Sequence, residues 1–576
     1  MEAADRERCH DQKTGQAGPR GAVCYGPRSS GTAEINFVFV QICELTAKLQ
    51  EQMADYKATL VSDGRKDIAG RPLINFVDSS LVGDCFIGVD DMSGMDKTGE
   101  NLAAGLAARI DAAPRDHYGL LLLDSASACV KARKLLDTDP KYFDPATGRS
   151  RYEKIVKGSC GAHTMDLFIE DVCKMDWASA LATKMKRIVN AVYNADCLRD
   201  QYQNKESGRR LSKFVDTRFG TLKLVAEDLK QNRLPLGRTL QSPAWSKWAA
   251  TRHSRGVGDP DADKTNAQLA QLIFSDIFSP DFWQEIDNFV SLLEDAYTIL
   301  RMCDSNVPPN HEIFKRMSAA KAKLESDPSF FGRTQPEMEH VVQRFDARWE
   351  LMHNTLHSVG FVLGPCNHKL NTWGGTTWTE TIQYIKLIYG HNTQQTTAAQ
   401  MQLLHYKRKT GPFAAAGLFE IANDLSPTAW WELHGCGAAE LMHIALVALS
   451  QMGGVGAAER NWKVFTFIHD RRRNRLSKER AERLVRCHYN IRILNRVTDQ
   501  EYEELIHHVY DPDEDDESEE PAPQPAPQPG PEQLAQPGPA PAVIPASQGN
   551  QRVHAIAITG PLPAGAPVIQ AAVFNS

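Results

Sequence analysis

Residues 58–89 read ATLVSDGRKDIAGRPLINFVDSSLVGDCFIGV, and residues 118–124 read YGLLLLD. Short apolar runs bounded by Asp, Gly and Pro are the pattern of strands separated by turns. Ala58-Thr59-Leu60-Val61 reads as a strand ending at Asp63-Gly64. Pro72 to Val77 reads as a second, Cys85 to Val89 as a third, and Tyr118 to Leu123 as a fourth, buried strand ending at Asp124. Between and after them, Lys97 to Ile110 and Ser125 to Leu136 carry helical patterns, and Ile155-Val156 suits a short fifth strand.

Three strands, a helix, a strand and a helix is the order of an α/β, ribonuclease H-like fold. It predicts a core whose first part covers residues 58–175, preceded by a helical lead-in at 35–57 with apolar residues at helical spacing. Residues 176–435 are mostly helix-patterned and read as a large all-α insertion. Residues 436–496 combine an apolar helix, a Gly-rich break and a basic helical region. Residues 1–34 lack periodicity and are expected to be disordered. So is the tail, 497–576, where eight of the ten residues from Asp511 to Glu520 are acidic and 13 of the 31 Pro follow Glu520; such composition cannot bury enough apolar surface to fold.

Composition narrows the class. A chain of 576 residues has room for two or more domains, and 42% hydrophobic content supports a core. The net charge of −7 is unevenly spread: twelve Lys/Arg face three Asp/Glu between Arg460 and Arg496. Twelve Cys without a repeating spacing suit a reducing compartment better than a disulfide framework. The charged N-terminus has no signal-peptide pattern, and the longest apolar run, Leu441 to Leu449, is far short of a membrane span. The expectation is an intracellular protein with no membrane partner.

Asp63 and Asp124 both sit at strand ends, where neighbouring strands would set them side by side, and Glu459 opens a helix after the Gly-rich break. Clustered carboxylates can hold two divalent ions about 3.5–4 Å apart for phosphodiester cleavage, and hard ions such as Mg²⁺ take oxygen ligands. An Asp after a strand equally serves to cap a helix or begin a turn.

Several segments in this order resemble hAT (hobo–Activator–Tam3) DNA transposases. Val61-Ser62-Asp63-Gly64 followed by Asp67 resembles the family's V-x-D-G-W-x-D. Leu123-Asp124-Ser125-Ala126 resembles T-D-N-A-x-N, and Cys160-Gly161-Ala162-His163-Thr164-Met165-Asp166-Leu167 resembles the CxxH box. Thr217-Arg218-Phe219, Glu459-Arg460-Asn461-Trp462 and Arg473-Asn474-Arg475-Leu476-Ser477 complete the series. The resemblance implies a ribonuclease H-like core with Asp63, Asp124 and Glu459 as the catalytic, metal-holding triad. It also implies Mg²⁺ or Mn²⁺ as cofactor, DNA and a second copy of the chain as partners, and a nuclear location.

Further roles follow from the resemblance. Cys160 and His163 would position DNA or the scissile strand; the alternatives are a packed Cys with a hydrogen-bonded His, or zinc, although structural zinc wants four ligands and no zinc site is evident. Arg218 and Arg460 are expected at the DNA. The basic run Arg471, Arg472, Arg473 and Arg475 would contact phosphates, or act as an import signal or solvated face. Trp283 would stack on a flipped base, or pack as a core Trp. Trp462, Phe465, Phe467, Leu484, Val485 and Tyr489 form an apolar face expected to pair subunits or join the core. The sequence departs from the family pattern: Arg65 replaces the Trp after Asp-Gly, the Asn positions after Asp124 hold Ser125 and Ala128 or Cys129, and the BED zinc finger is absent. A catalytically inactive, domesticated protein that binds DNA and dimerises is therefore the alternative to an active transposase core.

Overall fold

A computed structural model describes residues 30–67, 70–212, 220–251, 261, 263–371, 373–391, 393–468 and 478–496. The basic run at 471–475, Arg218, the side chain of Phe467 and the tail after 496 lie outside the described residues. Helix α1 spans Ser30–Gln52, so regular structure starts before residue 35, and it stops short of the expected strand. Lys57, at φ 56, turns the chain into β1; a left-handed residue cannot continue a right-handed helix.

The described residues form seven strands, the expected five in their order and an additional short pair. They are β1 (Ala58–Lys66), β2 (Pro72–Ser80), β3 (Gly83–Asp91), β4 (Tyr118–Leu123), a small hairpin β5 (Phe143–Asp144) and β6 (Arg149–Ser150), and β7 (Val156–Ser159). The main sheet has five strands in the order β3-β2-β1-β4-β7. β1, β2 and β3 form an antiparallel meander, whereas β4 runs parallel to β1 and β7 parallel to β4. Parallel neighbours need crossovers, and helices supply them: α2 (Gly99–Ala112) and α3 (Ser127–Thr138) flank β4, and α4 (Gly161–Cys173) follows β7. All six residues of β4 are buried, as its unbroken apolar run requires of a strand covered on both faces.

The meander is longer than its apolar runs. β1 does not end at Asp63-Gly64 but continues to Lys66, through buried Ser62, half-buried Asp63 and exposed Gly64 to Lys66, because pairing with β2, from Thr59↔Ser79 to Lys66↔Pro72, satisfies its backbone whatever the side chains. β7 begins at Val156 and extends to Ser159, beyond Ile155-Val156. Buried Arg133 closes this end of the sheet, its guanidinium donating to the Gly158 carbonyl at 2.5 Å and Ser159 Oγ at 2.8 Å.

From Asp176 to His434 the described residues are helices and short helical turns. Trp283 belongs to their core. It is 4% exposed, its Nε1 donates to the Ile277 carbonyl at 2.7 Å, and the Arg233 guanidinium lies 4.9 Å from its ring centre. No free ring face is offered to a base, so the core alternative describes Trp283 here.

After the helical stretch the chain returns to the sheet. A helix at Ala439–Leu449 leads into residues 450–455, then the helix Gly456–Ile468 and, beyond 478, the helix Lys478–Arg496. These last two helices cover the meander. Trp462, Phe465, Val485 and Tyr489 are all buried in this chain. Phe86 on β3 packs edge-on against Phe465 and Tyr489, at 5.9 and 6.3 Å between ring centres. Asn490 replaces a strand neighbour at the β3 edge: its Oδ1 accepts from Phe86 N at 2.9 Å and its Nδ2 donates to Phe86 O at 3.2 Å. An edge strand otherwise presents unpaired backbone groups. Of the face expected to pair subunits, these four residues are core, and Leu484 packs against them half-buried.

The ten cysteines among the described residues are free thiols. No helix among the described residues is long and apolar enough to cross a membrane.

Candidate active site

The β1–β4 register decides the site. Val61 pairs with Leu122 across the parallel strands; β4 ends at Leu123, and the same register continued past it would bring Asp124 toward Asp63. In open sheets with parallel strands, the carboxyl ends of the strands are where ligands bind.

Asp63 is held from two sides. Trp462 Nε1 donates to its Oδ2 at 2.8 Å, and its backbone N donates to Asn75 Oδ1 at 3.1 Å. The buried Asn75, opposite Asp63 on β2, also donates from Nδ2 to the Ala458 carbonyl at 2.7 Å. One side chain thus ties the strand bearing Asp63 to the residue before Glu459. Neither Asn75 nor this use of Trp462 was visible in the sequence, since an Asn inside a β-run carries no pattern signal.

Asp124 pairs with His163 Nε2 at 2.9 Å and also accepts from Ser125 N. Burial pushes the Asp124 carboxyl upward, but the hydrogen bond and charge of His163 outweigh it and hold the group below its usual range. The same hydrogen bond raises His163 above the ordinary imidazole value against the opposing effect of burial.

Cys160 is fully buried and caps α4. Its Sγ accepts from His163 N and from Val455 N, each at 3.4 Å. Gly161 N donates to Gly453 O at 2.9 Å. The CxxH box is therefore divided in this conformation: the Cys fastens α4 to the Gly-rich segment, and the His reaches a carboxylate. Burial raises the Cys160 thiol to about 12, so it stays protonated and is no anionic ligand near neutral pH.

The glycines before Glu459 are explained by contact. A Cβ on Gly454 would lie 2.5 Å from the Cys303 carbonyl oxygen, and one on Gly453 2.6 Å from Pro309 Cγ. Gln451 anchors the near end: Thr59 Oγ1 donates to its Oε1 at 3.0 Å, and its Nε2 donates to Tyr56 O at 3.0 Å.

Glu459 sits in the first turn of its helix, where a carboxylate suits the helix dipole. Even so, burial and then the Asp63 and Asp304 carboxylates lift it to about 7, with His163 and Arg460 pulling the other way. No described residue donates a hydrogen bond to it. A partly buried carboxylate facing other carboxylates without a donor lacks a cation. The residues present therefore suit a divalent ion with oxygen ligands. The oxygens of Asp63, Asp124 and Glu459 do not all lie within 4.8 Å of one another in this conformation; among the described residues another set meets that criterion.

Arg460 is turned to the protein. It donates to the Asp304 carbonyl at 3.2 Å and to Asn306 Oδ1. Asp304, raised by burial, is a fourth carboxylate near the site. It falls in a helical stretch with no motif around it, so only the packing reveals it.

Two expected results follow from these contacts. Asn75→Ala removes the side-chain acceptor of the part-buried Asp63 amide and the tie to the Ala458 carbonyl, which keeps its place in the helix ladder, at about 1–3 kcal/mol in all. A clear drop in Tm should accompany a roughly 10- to 100-fold loss of any metal-dependent activity, as for residues that orient ligands; unchanged Tm and rate would show that Asn75 supports nothing. In the His163–Asp124 pair, the raised His contributes stability that is fully present below pH ~6.5 and lost as pH rises through its folded value. The lowered Asp contributes above pH ~4 and loses that only in acid. His163→Gln should therefore lower Tm most near pH ~5.5–6.5 and least near pH ~9. A deficit that grows with pH contradicts the pairing.

A family model described as a domain of unknown function (DUF659) matches residues 38–188. This domain is found in hAT-family transposase-like proteins, so the stretch containing Asp63, Asp124, Cys160 and His163 is a hAT-like region. No curated protein matches the chain.

Proposed function

We propose that this chain is a hAT-type transposase core that cuts and joins DNA strands with Asp63, Asp124 and Glu459, on a ribonuclease H-like core interrupted by the helical stretch. The observation that carries the reading is Glu459: a carboxylate raised to about 7 beside Asp63, with no hydrogen-bond donor among the described residues. The strand order β3-β2-β1-β4-β7 supports the fold assignment.

A bound Mg²⁺ or Mn²⁺ would supply charge neutralisation at phosphorus and an activated water or 3′-hydroxyl. The chain's own part is placement. Asp63 from within β1 and Asp124 just after the neighbouring β4 offer oxygens, Trp462 and His163 each hold one of these carboxylates in orientation, and Asn75 keeps the Glu459 helix over the sheet. Glu459 binds a cation in its ionised form, so activity should rise with pH through about 7.

DNA and a second copy of the chain are the proposed partners and the nucleus the proposed location. The basic run Arg471, Arg472, Arg473 and Arg475 is proposed to meet phosphates. Subunit pairing would use surfaces of the C-terminal segment other than the buried Trp462, Phe465, Val485 and Tyr489. The second reading, a DNA-binding dimeric protein without catalysis, draws on Asp124, one of whose oxygens is already taken by His163 and Ser125.

Nicking and strand transfer on labelled DNA, with Mg²⁺ or Mn²⁺, should occur with the wild type and fail in Asp63→Ala, Asp124→Ala and Glu459→Ala. A folded wild type that binds DNA but never cuts it would overturn the enzymatic reading and favour the second.

A further inference from the structure

A second cluster of ligand-type side chains lies in the helical part of the chain. The helix Asn310–Leu324 carries His311 and Glu312 in its first turn, and the short turn Pro365–Asn367 brings Cys366 against it. One ligand atom from each of His311, Glu312 and Cys366 lies within 4.8 Å of the other two, and all three residues are half-buried.

The backbone around the cluster is clamped. Asn367 Nδ2 donates to the His311 carbonyl at 2.6 Å. A Cβ on Gly364 would come within 3.0 Å of His311 Cβ, and one on Gly360 within 2.8 Å of the Asn310 carbonyl. The two segments are thus held too closely to separate without repacking. Polar atoms are nevertheless left over: His311 Nδ1 and Asn367 Oδ1 are buried and have no hydrogen-bond partner, although Asn367 is 0% exposed. Buried polar atoms normally find partners, and an orphan asks for a ligand or water.

We propose that His311, Glu312 and Cys366 bind a zinc-class divalent ion, with one water completing a tetrahedral site. An imidazole nitrogen, a thiolate sulfur and one carboxylate oxygen form the mixed donor set that zinc takes, whereas Mg²⁺ and Ca²⁺ prefer oxygen alone. Binding displaces the Cys366 thiol proton to solvent. The thiolate and carboxylate then balance the two charges of the ion. Glu312 now accepts from Lys315 Nζ at 2.5 Å and Arg316 Nε at 3.1 Å; the ion replaces one of these partly exposed cations and leaves the other. Asn367 Oδ1 supplies an acceptor next to Cys366 for the bound water.

The site joins residues 54 positions apart in the chain and braces the segment that leads to Glu459. Beside His311, Asn310 Nδ2 donates to the Ala448 carbonyl at 2.9 Å, and Pro309 packs where a Gly453 side chain would stand. Its donors share no short motif, which is why spacing alone indicated no zinc.

The test uses the full-length, tag-free protein with Co²⁺ and Zn²⁺ as probes. The thiolate-to-Co²⁺ charge-transfer band should saturate at one equivalent, be abolished by Zn²⁺, and be accompanied by a raised Tm. Cys366→Ser should lose the band, and His311→Gln should weaken Co²⁺ binding at least about 10-fold. Glu312→Gln should keep the band but change the ligand-field absorption, which serves if Cys366→Ser does not fold. Asp63→Asn with Glu459→Gln should bind the thiolate-ligated Co²⁺ as the wild type does, separating this site from the candidate active site. No uptake by folded wild type, or an undiminished band in Cys366→Ser, overturns the proposal.

Discussion

Glu459→Gln is expected to abolish metal-dependent DNA cutting and, at the same time, to make the metal-free protein more stable. Residues that merely orient ligands cost about 10- to 100-fold when removed, so loss of a ligand itself should cost at least ~100-fold. The stability effect comes from the raised carboxyl. A group at 4.5 when unfolded and about 7 when folded binds more protons in the folded state between those values. The wild type therefore loses stability as pH rises from ~4.5 to ~7, and the full cost persists above that. The shift bounds this cost at roughly 3 kcal/mol. Gln cannot ionise and escapes it.

Melting curves at pH ~8 should therefore place the variant above the wild type, with the gap closing toward pH ~4.5. Adding Mg²⁺ or Mn²⁺ should raise the wild-type Tm by mass action and leave the variant nearly unmoved. A variant less stable than wild type at pH ~8 would mean that Glu459 is already paired, and the case for a cation there would lapse.

Val485→Asp should prevent folding rather than split a dimer. Val485 is 0% exposed and packs in the core between the last helix and the sheet. An unpaired carboxylate in such a place costs several kcal/mol even after it protonates, against a typical total stability of about 5–15 kcal/mol. The expected outcome is insoluble or unfolded protein, or a Tm lowered by well over ~10 °C. Light scattering decides between the readings: a folded, soluble variant of half the wild-type mass would put Val485 at a subunit interface.

The strands were legible because apolar runs between turn residues have few other solutions. β4 matches its run from Tyr118 to Leu123 without a residue's difference. That Asp63 lies on β1 and Asp124 directly after its parallel neighbour β4 followed from the apolar runs, but β1 runs on past Asp63 to Lys66, so Asp63 is a residue within its strand and not at the strand's end. The polar half of β1, the hairpin β5–β6 and the exact close of β7 were not legible, because backbone pairing sets strand length where side chains are indifferent. For Trp283, Phe465 and Val485 the sequence left a core position and a partner or base contact both open, and in the fold all three are buried. An amphipathic helix shows the same 3.6-residue period whether its apolar face meets a partner, a base or its own core.

The sequence by itself determined the α/β alternation, the strands that carry or precede Asp63 and Asp124, and the Gly-rich approach to Glu459, because each depends on neighbours in the chain. Tertiary structure alone decided the rest. Asn75 reaches across 383 residues to Ala458, Trp462 turns inward to Asp63, Arg460 goes to Asp304, and Cys366 comes to His311 and Glu312. The physical reason is common to all four. A hydrogen bond or a ligand set is specified by distance and direction in space, and residues far apart in a chain acquire these only when the core between them has packed.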